Sequence, residues 1–254
     1  MERLARIQKR LEMLRKFDYK RSVFGASTHK YISQPPLSEE LADHFEELYK
    51  TSIPVNYRSF LTKLSSGGAG PAYGFWGLTP LEREELPQIN TIIQDYDGNE
   101  LSRSGTGPRE VPQVCSTIER PFLLSKPWSP SEGALPIPPG TSPYDGCLHL
   151  AEIGSGLFYF LVVRGPAKGQ IWIDETAEGG SIAKTHDNFL DWYENWLDEA
   201  QLEWVEQYAI EIALQKPKHF SAIDDVVDLL KKTLEKRIGK TLLAISSSSL
   251  LGGG

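Results

Sequence analysis

Apolar residues recur at Leu4, Ile7, Leu11 and Leu14, at alternating spacings of three and four that put them in one stripe of a helix over residues 2 to 17. This arm can dock on the rest of the chain or pair with a second copy. Gly25 to Pro36 shows no such period and reads as a connector closed by Pro35-Pro36. Ser38 then stands as N-cap before Glu39 and Glu40, with Leu41, Phe45 and Leu48 as the expected buried face of a helix. A further helix opens at Pro54 and runs to Leu64, with Tyr57, Phe60, Leu61 and Leu64 on its apolar side.

The stretch SSGGAGPAYGFWGL at 65 to 78 follows that helix. Gly67 or Gly68 is expected to end the helix in a left-handed conformation, Pro71 to prevent its resumption, and Phe75 to Leu78 to form a short strand. A phosphate loop needs its glycines before a helix, with Gly-Lys-Ser/Thr or a preceding strand, and neither is present. Residues 81 to 120 are polar and poorly periodic and read as surface loop. From Cys147 to Ile153, Leu157 to Arg164 and Gln170 to Asp174, three strands introduced by Asp145-Gly146 and separated by Gly154-Ser155-Gly156 and Gly165-Pro166 predict an antiparallel meander.

A long helix is predicted from Asn188 to Leu214, with Phe189, Tyr193, Trp196, Leu197, Ala200, Trp204 and Tyr208 inside. Its other side is acidic: Asp187, Asp191, Glu194 and Asp198, continued by Glu199, Glu203 and Glu206, with no Lys or Arg between Asp187 and Glu211. Most such stripes are solvated faces, yet Asp187, Asp191, Glu194, Asp198, Glu199 and Glu203 are the candidate partner-binding residues. Pro217 breaks the helix, and Ile223, Val226, Val227, Leu230, Leu234 and Ile238 mark a last amphipathic helix before a Ser/Gly-rich tail.

Charge sharpens this picture. Residues 1 to 30 hold nine Lys or Arg against three Asp or Glu, leaving 18 against 31 in the remainder, so a basic arm of +6 precedes an acidic body of −13. The acidic body repels nucleic acid and steers toward basic partners, while the arm suits nucleic acid, an acidic surface or plain solvent. No apolar run approaches the roughly 18 residues of a membrane span, and the charged N-terminus is unlike a secretory leader. A cytoplasmic protein without membrane partners is expected.

Candidate chemistry is sparse. Cys115 and Cys147 are the two cysteines, and His29, His44, His149, His186 and His219 are dispersed, so no metal or cofactor is expected. Cys147 and His149 share a strand face, but no third partner for a thiol nucleophile is recognisable. Asp174 and Glu175 read better as acidic turn residues than as a catalytic carboxylate pair. No catalytic residue is assigned.

Three segments together resemble one family. They are PPLSEELADHFEELYKTSIPVNYRSFLTKLSSGGAGPAYGFWGLTPL, RPFLLSKPW, and the run from YDGCLHLAEIGSGLFYFLVVRGPAKGQIWIDETAEGG to FLDWYENWL. The likeness is to the SUKH superfamily, whose founding members are fungal cell-wall synthesis regulators of the SMI/KNR type, and it covers about residues 35 to 199. It implies an α+β fold with a mainly antiparallel β-sheet flanked by helices, here with extra N- and C-terminal helices. Gly67, Gly68, Gly70, Pro71, Gly154, Gly156, Trp172 and Trp192 match its motifs as fold-making residues.

The resemblance also implies a non-enzymatic protein. Many bacterial members are immunity proteins that bind and neutralise a cognate polymorphic or contact-dependent toxin, often a nuclease, and the acidic body suits a basic toxin domain. A regulatory scaffold of the cell-wall regulator type is the alternative. The expected organisation is a basic helix and connector over 1–34, the α+β domain over 35–205, and a C-terminal helical extension and tail over 206–254.

Overall fold

The computed structural model describes residues 2–78 and 117–214. The chain divides into two compact units, Met1–Leu197 and Asp198–Gly254. Helices α1 (Glu2–Phe17), α2 (Ala26–His29), α3 (Glu39–Tyr49) and α4 (Val55–Lys63) precede strands β1 (Cys147–Gly154), β2 (Leu157–Val162), β3 (Ile171–Asp174) and β4 (Ile182–His186), and α5 (Phe189–Leu214) follows. The four strands form one antiparallel sheet in the order β1-β2-β3-β4. This is the expected α+β class.

Local chemistry explains most element ends. Ser38 Oγ accepts the backbone N–H of Leu41 at 3.2 Å, with Glu39 and Glu40 in the positive first turn of α3. The buried side of α3 is centred on Ala42 and Phe45, however, and Leu41 is 45% exposed. Of the expected face, Phe45 is buried and Leu48 half-buried, while Leu41 gives its place to the small Ala42. In α4, Tyr57, Phe60 and Leu61 are buried as the periodicity requires.

The glycine-rich stretch departs from expectation. Helix α4 ends at Leu64 with φ −125°, so no left-handed glycine caps it. Gly68, at φ 101°, instead bridges Ser33 on one side and Phe75 on the other, and a Cβ there would lie 2.4 Å from the Ile32 carbonyl oxygen. At Gly77 a Cβ would lie 1.5 Å from the Ser66 carbonyl oxygen. These glycines let three backbone segments touch. Phe75 pairs only through isolated bridges to Gly68 and Ala151, not as the expected strand.

The meander appears as read, and β4 extends it beyond the three expected strands. Period-two alternation gives the sheet two covered faces. On one, Tyr159 meets Trp192 of α5 at 5.4 Å, and the helical core continues through Phe189 against Tyr57 at 4.7 Å and Tyr193 against Phe60 at 4.7 Å. The buried Tyr193 hydroxyl donates to the Ala69 carbonyl at 2.7 Å, tying α5 to the glycine-rich stretch. On the other face, Phe160, Val162 and Trp172 pack with Phe122, Leu124, Cys147 and Ile182. Two-sided burial explains why β3 reads as a continuous apolar run, Ile171-Trp172-Ile173.

Helix α1 belongs to the first unit. Ile7 is fully enclosed, and Leu4, Leu11 and Leu14 are buried beside it. Of the two roles open to this stripe, docking on its own chain is the one seen, and pairing with a second copy is not: Leu4, Ile7, Leu11 and Leu14 are covered within their own chain, and exposing them would cost about 1.5–3 kcal/mol each.

In the second unit, the C-terminal part of α5 stacks Trp204 on Tyr208 at 5.3 Å. The amphipathic pattern over 223–238, the loop over 81–116 and Cys115 lie outside the described residues.

Candidate interaction surface

The acidic side of α5 begins with Asp187, which stands just before the helix and takes Lys184 Nζ at 2.9 Å. Asp191 and Glu194, one helical turn apart, face α1. Arg3 reaches both, through Nη2 to Asp191 at 2.5 Å and Nε to Glu194 at 2.8 Å. Arg6 grips Glu194 from the other side, with Nη2 at 2.6 Å and Nε at 3.1 Å. Burial alone would make the Arg3 cation harder to keep, but hydrogen bonds and charge from Asp191 and Glu194 outweigh it and raise its pKa. Asn188 completes the group, its amide donating to Asp191 at 2.6 Å.

Asp187, Asp191 and Glu194 thus lie in the first unit, each with a cation from the same unit. Asp198, Glu199 and Glu203 lie in the second. Pattern reading identified the basic arm and the acidic stripe separately but missed that they meet. The usable signal was their opposite charge on two amphipathic helices.

A second acidic concentration was not singled out in the sequence. Arg58 of α4 holds Glu39 at 2.8 Å, Asp43 at 2.7 Å and Glu46 at 3.2 Å, all on α3. Hydrogen bonds from Thr62 and Arg58 lower the pKa of Glu39. Glu46 also accepts the Ile53 N–H at 2.7 Å, bracing the loop between the two helices.

The residues weighed for catalysis sit in structural contacts. Cys147 is fully buried and its thiol points to the Asp145 carbonyl at 3.4 Å. His149 packs its ring on Trp76 at 4.2 Å and Phe158 at 4.4 Å. Asp174 is buried, with Oδ1 accepting Thr176 N–H at 2.8 Å and Thr176 Oγ1 at 2.7 Å, while Oδ2 accepts the Tyr144 hydroxyl. That arrangement organises the β3–β4 turn. Among the described residues no His, Cys, Asp or Glu side chains form a group of three that suits a metal. Nor, among them, is any helix long and apolar enough to cross a membrane.

A meander sheet covered by helices on one face and by irregular chain on the other, with charged helix surfaces, defines an α+β domain. The chain belongs to the SMI1 / KNR4 family (SUKH-1), whose pattern matches residues 36–195. Family membership supports a protein-interaction role of the immunity or regulator type, and SUKH domains are generally non-enzymatic. No curated protein and no solved structure matches the chain.

Proposed function

We propose that this protein is a non-enzymatic immunity protein that binds and neutralises a basic toxin domain, of the nuclease type, inside the cytoplasm. The observation that carries the reading is the grip of Asp191 and Glu194 on the guanidinium groups of Arg3 and Arg6, since this face already accepts the side chains a basic partner would bring. Each of these partly exposed pairs is worth about 0–1 kcal/mol, so a partner's arginines exchange for Arg3, Arg6 or Lys184 at little cost. Helix α1 stays docked through its apolar stripe during that exchange. Asp198, Glu199 and Glu203 are proposed as further contacts, tested apart from Asp187, Asp191 and Glu194.

Capture from the native cell lysate at low salt identifies the candidate, which is then expressed alone and together with this chain. The expected outcome is a basic protein that arrests growth alone and is silenced in a 1:1 complex that weakens with salt. Neutralising Asp187, Asp191 and Glu194 together is expected to slow association roughly 10-fold at low salt, and Asp198, Glu199 and Glu203 are neutralised as a separate set. A captured partner that is harmless when expressed alone would replace this reading with the regulatory scaffold.

A further inference from the structure

Beyond Arg3 and Arg6, which meet Asp191 and Glu194, the arm carries a run of exposed cations, Lys9, Arg15, Lys16, Lys20 and Arg21, along α1 and the loop after it. Residues 9 to 24 contain two acids, Glu12, which is exposed, and Asp18, which is buried.

Aromatic rings stand among the charges. Tyr19 is 72% exposed, Phe24 49% and Tyr73 39%, and the other large apolar side chains exposed among the described residues, Leu41, Val55 and Leu123, are all aliphatic. Phe24 and Tyr73 meet at 5.2 Å with tilted planes, and Lys20 Nζ lies 5.8 Å from the Tyr19 ring centre.

The loop that presents them is held from within. Asp18 accepts Ser22 N–H and Ser22 Oγ at 2.8 Å each, Val23 N–H at 3.2 Å and the Tyr31 hydroxyl at 2.7 Å. Arg21 sits in the left-handed region at φ 55°. Tyr19, Lys20 and Arg21 are therefore displayed on a pinned turn rather than on a frayed end, and leaving rings in water forfeits burial energy that the fold does not recover.

We infer that this surface binds a short single-stranded nucleic acid, with bases stacking on Tyr19 and on the Phe24/Tyr73 pair and phosphates meeting Lys16, Lys20 and Arg21. Exposed rings beside cations are what sequence-tolerant single-strand binding uses, whereas an acidic protein segment needs the cations but not the rings. The −13 charge of residues 31 to 254 repels a rigid duplex, while a flexible strand can turn away beyond a few nucleotides. Among the described residues the exposed leucines, Leu41 and Leu123, belong to other segments of the chain than Tyr19 and Phe24. The inference does not depend on the partner of the acidic face.

Fluorescence anisotropy with the full chain and a labelled oligo(dT) of about 15 nucleotides tests it, beside a duplex of equal length, a polyglutamate peptide and anionic vesicles. Saturable binding of the single strand in about 50 mM salt is expected, with the logarithm of affinity falling against that of salt at a slope near −2, as about three phosphate contacts imply. Tyr19→Ala and Phe24→Ala should each weaken binding roughly 10-fold, Tyr19→Trp should retain it, and combined Lys16→Glu, Lys20→Glu and Arg21→Glu should remove it. These positions are exposed, and far-UV circular dichroism checks that the variants stay folded. Absence of binding at low salt overturns the inference. So does binding indifferent to the ring variants, or tighter binding of the duplex, the peptide or the vesicles.

Discussion

At the scale of single residues, His29 shows how burial sets chemistry. Its Nδ1 accepts the Tyr31 N–H at 3.0 Å, its ring packs edge-on to Trp196 at 5.7 Å, and burial pushes its pKa down to about 4, with the Asp18 charge opposing in part. The unfolded chain takes up this proton near the ordinary value of 6.5, while the folded chain resists until about 4. Stability from neutral His29 is therefore complete above that upper value and is lost as pH falls through the window, by at most about 3 kcal/mol. Urea unfolding of wild type and His29→Gln at both ends of the window checks this. The variant should lose most of the difference, and an unchanged pH dependence would assign acid sensitivity to the carboxylates instead.

At the scale of elements, α1 is held by two kinds of contact of very different worth. Ile7 is completely buried, and Ile7→Ala should cost about 2–5 kcal/mol. Arg6 is mostly exposed, and Arg6→Ala should cost less than about 1 kcal/mol despite its two hydrogen bonds to Glu194. Urea midpoints of the two variants provide the comparison, and a larger loss for Arg6→Ala would mean that charge rather than packing docks the helix. The stripe Leu4, Ile7, Leu11 and Leu14 was legible in sequence because helical period shows in neighbouring residues. What covers the stripe was not, because periodicity carries no information about a partner surface.

At the scale of the whole molecule, Arg164 ties distant segments together. Just beyond β2, its Nε donates to the Ile118 carbonyl at 3.0 Å, and its Nη2 donates to the carbonyls of Tyr49 and Lys50 at the end of α3. Its own backbone carbonyl receives the Phe122 N–H at 3.0 Å. A guanidinium fork serves these acceptors together and an ammonium does not, so Arg164→Lys should cost about 1–3 kcal/mol. A thermal or urea midpoint equal to wild type would show that water replaces the lost bonds. The sequence marked Arg164 only as the charge that closes an apolar strand, since its acceptors lie 46 to 115 residues away.

Features encoded over a few neighbouring residues were legible in the chain: the stripe of α1, the Ser38 cap, the strands separated by glycine turns, the long α5 with its acidic side, and motifs sufficient to place the fold. Pattern alone put Leu41 in the buried face of α3 because Leu41 is the larger side chain, and Ala42 is the one that fits inward. It passed over β4, whose Ile182 is buried while Lys184 and Thr185 are exposed, too weak an alternation to stand out in five residues. Long-range packing settled the rest: Gly68 serves backbone contact rather than a helix cap, Gly77 lets a second pair of segments touch, and Arg3 and Arg6 meet carboxylates 188 to 191 residues distant. Local pattern follows from the geometry of helix and strand, whereas contact between remote segments follows from how their buried faces pack together.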